Sequence, residues 1–150
     1  MDPRFSIAIP TYNRAGLLQE SLESVLAQTL RDIEIVVCDN ASTDGTQALL
    51  DRYQGRLLSR RNDRNLGSWP NLKKAFAESS GARFMWLQDD DVLHRDFARR
   101  ASSAFESQPD LKVYLAYAFN SPDAGGHSNA LIWGPPFTLD WFGHGQAITI

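Results

Sequence analysis

Short apolar runs alternate with segments of helical periodicity along this chain, a rhythm that predicts βαβ units and a largely parallel sheet. Phe5 to Ile9 reads as the first strand, stopped by Pro10. Asn13 is placed to cap a helix over about 14–28, with Leu18, Leu22, Val25 and Leu26 on one face. Ile33 to Cys38 is a continuous apolar run of the kind buried on both faces. A helix near 46–53 turns Leu49, Leu50 and Tyr53 inward, and 56–59 reads as a short peripheral strand. Leu66-Gly67-Ser68 opens a helix with Pro70 in its first turn, where proline is tolerated, and Gly81 is placed to end it. A fourth strand over 83–87, a helix near 95–107 and an apolar strand over 111–119 complete the regular pattern.

After Asn120 the character changes. Ser121 to Gly126 is turn-rich, Trp133 to Phe137 fits neither helix nor sheet, and 146–150 begins an element and stops. The expectation is a single α/β domain over 1–150 whose parent needs more chain than this.

Composition adds boundaries. A chain of 150 residues, 43% hydrophobic and 22% charged, can bury a core as one globular domain. A net charge of −3 gives no support to a nucleic-acid partner. The single cysteine, Cys38, excludes an internal disulfide and any cysteine-based metal site, and its apolar run marks it as a core thiol. Met1 to Arg4 leads into a strand and not a secretory leader, and no apolar run reaches bilayer length. A cytoplasmic location is expected, with room for a membrane-associated parent.

Chemistry concentrates where Phe84 to Leu87 runs into Gln88-Asp89-Asp90-Asp91. Adjacent carboxylates repel, so a cation should neutralise them, and Mg²⁺ or Mn²⁺ carrying a phosphate suits oxygen ligands. An acidic triplet also fits a solvated loop. Its fusion to a buried-looking strand favours a site, because open α/β sheets bind ligands beyond the carboxyl ends of their strands. The first strand ends in Pro10-Thr11-Tyr12-Asn13-Arg14 and the second in Asp39-Asn40-Ala41-Ser42-Thr43-Asp44-Gly45-Thr46. Each alone also fits a turn with a helix cap. In a parallel sheet all three meet at one edge.

With Arg64-Asn65-Leu66-Gly67 and Asn71, these segments form a set of four motifs in order, and the chain resembles the nucleotide-binding part of a family 2 glycosyltransferase of the GT-A fold. That resemblance implies a Rossmann-like, mostly parallel sheet between layers of helices. The nucleotide-sugar-binding portion would cover about 1–120, and 121–150 would be the irregular start of the acceptor half. It implies a nucleoside diphosphate sugar donor, uridine-linked by expectation, and a sugar or lipid-linked acceptor. It also implies peripheral membrane association through a region beyond this chain. Pro10, Thr11 and Tyr12 would meet the base, Asp39 would accept a hydrogen bond from it, and Arg64, Asn65 and Asn71 would line the cleft. Asp89 would reach the ribose hydroxyls. Asp90 would hold the metal, with Asp91 a second candidate. Many relatives carry Asp where Gln88 stands, so the metal motif is open between Asp89 with Asp91 and Asp90 alone.

Family members of this kind invert the anomeric centre, using a carboxylate base that lies further downstream. Asp123 and Asp140 are the only carboxylates after Asp110, and neither sits in a recognisable motif, so the catalytic base is unassigned. A donor-binding but catalytically incomplete domain is one alternative. A nucleotidyltransferase is another, but Pro10 to Arg14 lacks the glycine-rich basic loop that holds a triphosphate. His94 is close to Asp91 in sequence, and the arginines between Arg52 and Arg64 read as a solvated face with Arg64 excepted.

Overall fold

The computed structural model describes residues 5–108, 110, 116–119 and 128–131. Strands β1 (Phe5–Thr11), β2 (Ile33–Asp39), β3 (Leu58–Arg61) and β4 (Arg83–Trp86) form one sheet in the order β3-β2-β1-β4. Every pairing in it is parallel. Helices α1 (Ala15–Leu26), α2 (Thr46–Arg52), α3 (Ser68–Ala77) and α4 (Phe97–Ser107) follow those strands in turn. A separate antiparallel pair joins β5 (Ala116–Phe119) to β6 (Ser128–Leu131).

Alternation along the two central strands builds the layers, since successive side chains point to opposite faces. Phe5, Ile7, Ile9, Ile35 and Val37 face one way and pack with Leu18, Leu22 and Val25 of α1, Leu49 and Leu50 of α2, and Phe97 and Ala101 of α4. Ala8, Val36 and Cys38 face the other way, against Ala75 of α3 and the rims of Leu58, Phe84 and Trp86. The result is the expected three-layer α/β arrangement. Among the described residues no helix is long and apolar enough to cross a membrane.

Several expected boundaries move, each for a physical reason. Pro10 does not stop β1, which runs on to Thr11. In a parallel strand alternate residues turn their backbone groups to opposite neighbours. Ala8 O accepts from Leu87 N on the β4 side, whereas Thr11 O accepts from Asn40 N at 2.9 Å on the β2 side. Pro10 therefore turns toward β4, whose last paired residue is Trp86 opposite Ala8, and its missing N–H costs no ladder bond. Asn13 does not cap α1. It takes a left-handed φ of 54°, and its side-chain oxygen accepts from Thr43 N at 2.7 Å. The first turn of α1 is instead held from outside, where Ala15 N donates to Asp44 at 3.0 Å.

β3 begins at Leu58, two residues later than the pattern suggests, because its register with Val36 to Asp39 of β2 fixes it. Helix α3 ends at Ala77, short of Gly81, and α4 starts at Phe97. Gly81 serves a different purpose: its N–H donates to Ser6 Oγ at 2.7 Å, and a Cβ there would lie 2.7 Å from Ser6 N. The turn-rich 121–126, the Trp133 to Phe137 stretch, Asp123, Asp140 and 146–150 lie outside the described residues.

Candidate functional site

The carboxyl ends of β1 and β2 lie side by side, with Thr11 in register with Asp39. The segment after β4 joins them, because Thr11 Oγ1 donates to Asp89 Oδ2 at 2.8 Å across 78 positions of sequence. The expected convergence of the three segments at one sheet edge is therefore real. The acidic segment is locked from behind, where Ser21 Oγ of α1 donates to Asp91 O at 2.7 Å and Asp91 N donates to Gln88 O.

One positive charge beside this acidic run comes from the chain itself. Arg14 Nη1 lies 3.2 Å from Asp89 Oδ1 and 2.9 Å from Asp90 Oδ2. The Asp89 side chain is almost buried, whereas those of Asp90 and Arg14 are 47% and 50% exposed. Asp39 is fully buried and also matched. Its Oδ1 accepts from Ser42 N at 2.9 Å, and its Oδ2 accepts from Arg61 Nη1 at 2.6 Å. Arg61 anchors itself further by donating to Ser42 O at 2.7 Å. Among the basic stretch, then, Arg61 reaches the site, while Arg64 is exposed and outside the cleft.

A cluster of amides fixes the loop between β3 and α3. Asn40 Nδ2 donates to Asn65 Oδ1 and to Gly67 O, and Asn40 Oδ1 accepts from Asn62 Nδ2 and Leu66 N. Asn62 also donates to Asn71 Oδ1, Asn71 donates to Cys38 O, and Lys74 Nζ donates to Asn62 Oδ1 at 2.7 Å. Asn40 thus uses the full capacity of its side-chain amide, so the loop is pinned to the end of β2. Asp44 plays the matching part for the helices. It accepts from Ala15 N of α1 and from the backbone and hydroxyl of Thr46 at the start of α2. Partial burial pushes its carboxyl up, but hydrogen bonds from Thr46 and Ala15 outweigh that, and it lies below its ordinary value of 3.8.

A half-open cleft of about 240 Å³ lies in front of this edge. Pro10, Thr11, Tyr12, Asn71 and Asp89 line it, and Tyr12 is 43% exposed. Arg14, Asn40, Ser68, Leu72 and Gln88 also line it, beyond the residues that the sequence assigns to the site. Arg14 was discoverable in principle, as the one cation in the segment that converges on the acidic run. Asp39, Asn65, Asp90 and Asp91 border the site without lining the cleft. His94 is exposed and turns its Nδ1 to Asp96 N at 3.2 Å. Among the described residues no group of three or more His, Cys, Asp and Glu side chains could hold a metal. The pair Asp89 and Asp90 suits an ion of the Mg²⁺ kind, which takes one or two carboxylates and completes its shell from phosphate and water.

The sequence model of glycosyl transferase family 2 matches residues 6–143. The chain belongs to glycosyl transferase family 2. Relatives include an abequosyltransferase of Salmonella typhimurium, 37% identical over 112 residues, a match covering 71% of this chain and 34% of that protein. A PGL/p-HBAD biosynthesis glycosyltransferase of Mycobacterium bovis is 32% identical over 143 residues, covering 92% of this chain and 53% of that one. Among solved structures, the mannosyltransferase PcManGT of Pyrobaculum calidifontis, in complex with GDP-Man and Mn²⁺, matches with a TM-score of 0.65 and 27% identity over 83% of this chain and 37% of that one. The family 2 chain described here therefore spans about a third to a half of the length of these relatives. Its sheet and flanking helices have the GT-A arrangement of its structural neighbours.

Proposed function

We propose that this chain binds a nucleoside diphosphate sugar in the cleft between β1 and the segment after β4, as the donor half of an inverting glycosyltransferase. The observation that carries the reading is the meeting of Thr11, Asp89, Asp90 and Arg14 at the mouth of a cleft lined by Tyr12 and Asn71. The exposed Tyr12 ring offers a stacking face to the base. Asp39, beside Thr11, is assigned to the same end. Its carboxylate is buried behind the cleft with its oxygens matched by Ser42 N and Arg61, so it would accept from a base N–H only after Arg61 turned away.

Asp89 and Asp90 mark the diphosphate end. Asp90 is the preferred protein ligand for Mg²⁺ or Mn²⁺, with Asp91 second, and the PcManGT complex with GDP-Man and Mn²⁺ supports a divalent ion. Such an ion would stabilise the charge that builds on the departing phosphate oxygen. Uridine as the nucleoside, a hydroxyl acceptor on a growing glycan or lipid-linked sugar, and a cytoplasmic setting complete the proposal.

The test is calorimetric titration of the 150-residue chain with uridine diphosphate, with and without Mn²⁺. Binding that depends on Mn²⁺ is expected, and its absence under both conditions would sink the reading. A second reading is donor binding without turnover, since Asp123 and Asp140, the carboxylates after Asp110, sit in no recognisable motif. Product formation from a panel of sugar nucleotides decides between them.

A further inference from the structure

Arg14 occupies an unusual position, since its backbone is fixed from within the fold while its half-exposed side chain is held by carboxylates at the cleft mouth. The backbone is held on both sides: Asn13 N donates to Ser42 Oγ at 2.9 Å, Ala15 N donates to Asp44, and Arg14 O accepts from Leu18 N. The side chain crosses the mouth of the cleft, half exposed, and a single guanidinium nitrogen serves both Asp89 and Asp90. That is a poor use of an arginine, whose planar fork matches one carboxylate with a pair of parallel bonds. The contacts are those of a counter-ion shared between acids, and the cation remains in reach of anything entering the cleft.

We propose that Arg14 is a built-in stand-in for the divalent cation: it neutralises Asp89 and Asp90 before metal binds, competes with the metal for them, and turns to the donor diphosphate once metal and donor enter together. The proposal rests on the donor-site reading given above and deepens it. Charge balance supplies the argument. With Arg14 in place, the carboxylate pair keeps one uncompensated negative charge. A doubly negative sugar nucleotide arriving alone would add to it. A divalent ion arriving with that nucleotide adds no net charge, and the displaced guanidinium finds phosphate oxygens, a partner its geometry suits. A metal arriving alone must evict a cation and leaves that cation without a partner. Metal and donor should therefore bind with mutual reinforcement, and Arg14 would be a positioning residue that enforces it.

The test compares the full chain with R14Q and R14K, folding being checked by thermal unfolding. Free Mn²⁺ is followed by electron paramagnetic resonance, first with Mn²⁺ alone and then with uridine diphosphate present. In R14Q, Mn²⁺ alone should bind about two- to fivefold more tightly than in wild type, the range expected for losing a part-exposed ion pair. The gain in Mn²⁺ affinity on adding uridine diphosphate should shrink in the same variant. R14K, which keeps the charge, should resemble wild type in Mn²⁺ binding. Equal or weaker Mn²⁺ binding by R14Q overturns the proposal, as does an absence of Mn²⁺ binding in every variant. If wild type binds uridine diphosphate with Mn²⁺ while R14Q shows no tightening, Arg14 loses this role and the donor site stands. If no variant binds the nucleotide, the donor site itself falls.

Discussion

Arg61 stands in register with Asp39 across the parallel pairing of β3 and β2, and its guanidinium closes on that buried carboxylate at 2.6 Å. Cross-strand placement does the work here. An edge strand with an exposed outer face supplies the cation for a carboxylate that the sheet interior cannot solvate. Arg61→Met should therefore leave Asp39 buried and half-matched, with Ser42 N as its remaining partner. We expect a loss of roughly 2–4 kcal/mol in urea unfolding, in the range for orphaning a buried charge. A loss below about 0.5 kcal/mol would mean that water reaches Asp39 in the folded state.

Asn40→Ala should loosen a loop and not only lower stability. The amide it removes holds Asn62, Asn65, Leu66 and Gly67 together. Roughly 2–4 kcal/mol of destabilisation is expected from the buried polar atoms left unmatched. Hydrogen exchange at the Leu66 amide should accelerate more than at amides within β1. Uniform acceleration would argue against a local latch.

How much of this was legible in the chain depends on distance along it. The apolar run Ile33 to Cys38 and the periodic Leu18, Leu22 and Val25 announce a central strand and its covering helix, because burial imposes a repeat that neighbouring residues share. The meeting of Thr11, Asp39 and Asp89 at one edge follows once the strands are taken as parallel. Partner choice is different. Arg14 finds Asp89 across 75 positions, and Ala15 finds Asp44 across 29. Nothing local distinguishes an asparagine that caps a helix from one, like Asn13, that takes a left-handed turn and lets a remote aspartate do the capping. β6 (Ser128–Leu131) is hidden in the sequence for a related reason, since Ser128-Asn129 lacks the apolar alternation that marks a strand.

Gly81→Ala tests a close approach at the opposite end of the sheet. The new methyl would press on the Ser6 backbone at 2.7 Å, and backbone cannot swing aside as a side chain can. About 1–3 kcal/mol of destabilisation is expected, the usual cost of overpacking. A neutral result would show that the 79–82 turn shifts without resistance.

The carboxyl of Asp44 gives a pH signature. Its folded value lies below the ordinary 3.8, so its contribution is fully present above that value and fades as pH falls through the lower, folded one. Asp44→Ala should cost about 0.5–2 kcal/mol near neutrality, as for a lost helix cap. The gap between wild type and variant should narrow on acidification below 3.8. A gap that stays constant from pH 6 to pH 3 would assign the effect to packing.

Asp90→Asn tests the proposed metal ligand apart from folding. The Asp90 side chain is 47% exposed, so the unfolding midpoint should hardly move. The Mn²⁺-dependent part of uridine diphosphate affinity should fall by roughly tenfold or more, on the scale of a damaged metal site. Retained Mn²⁺ dependence would transfer the ligand role to Asp89 or Asp91.

Pro10 and the short β4 together set the size of the opening. β1 continues past Ala8, its last residue opposite β4, and ends at Thr11. The proline leaves that overhang without an amide to recruit another rung. Room in the cleft is therefore gauged by the unequal lengths of adjoining strands, so trimming or extending a single edge by one rung would resize the chamber while the core beneath kept its packing.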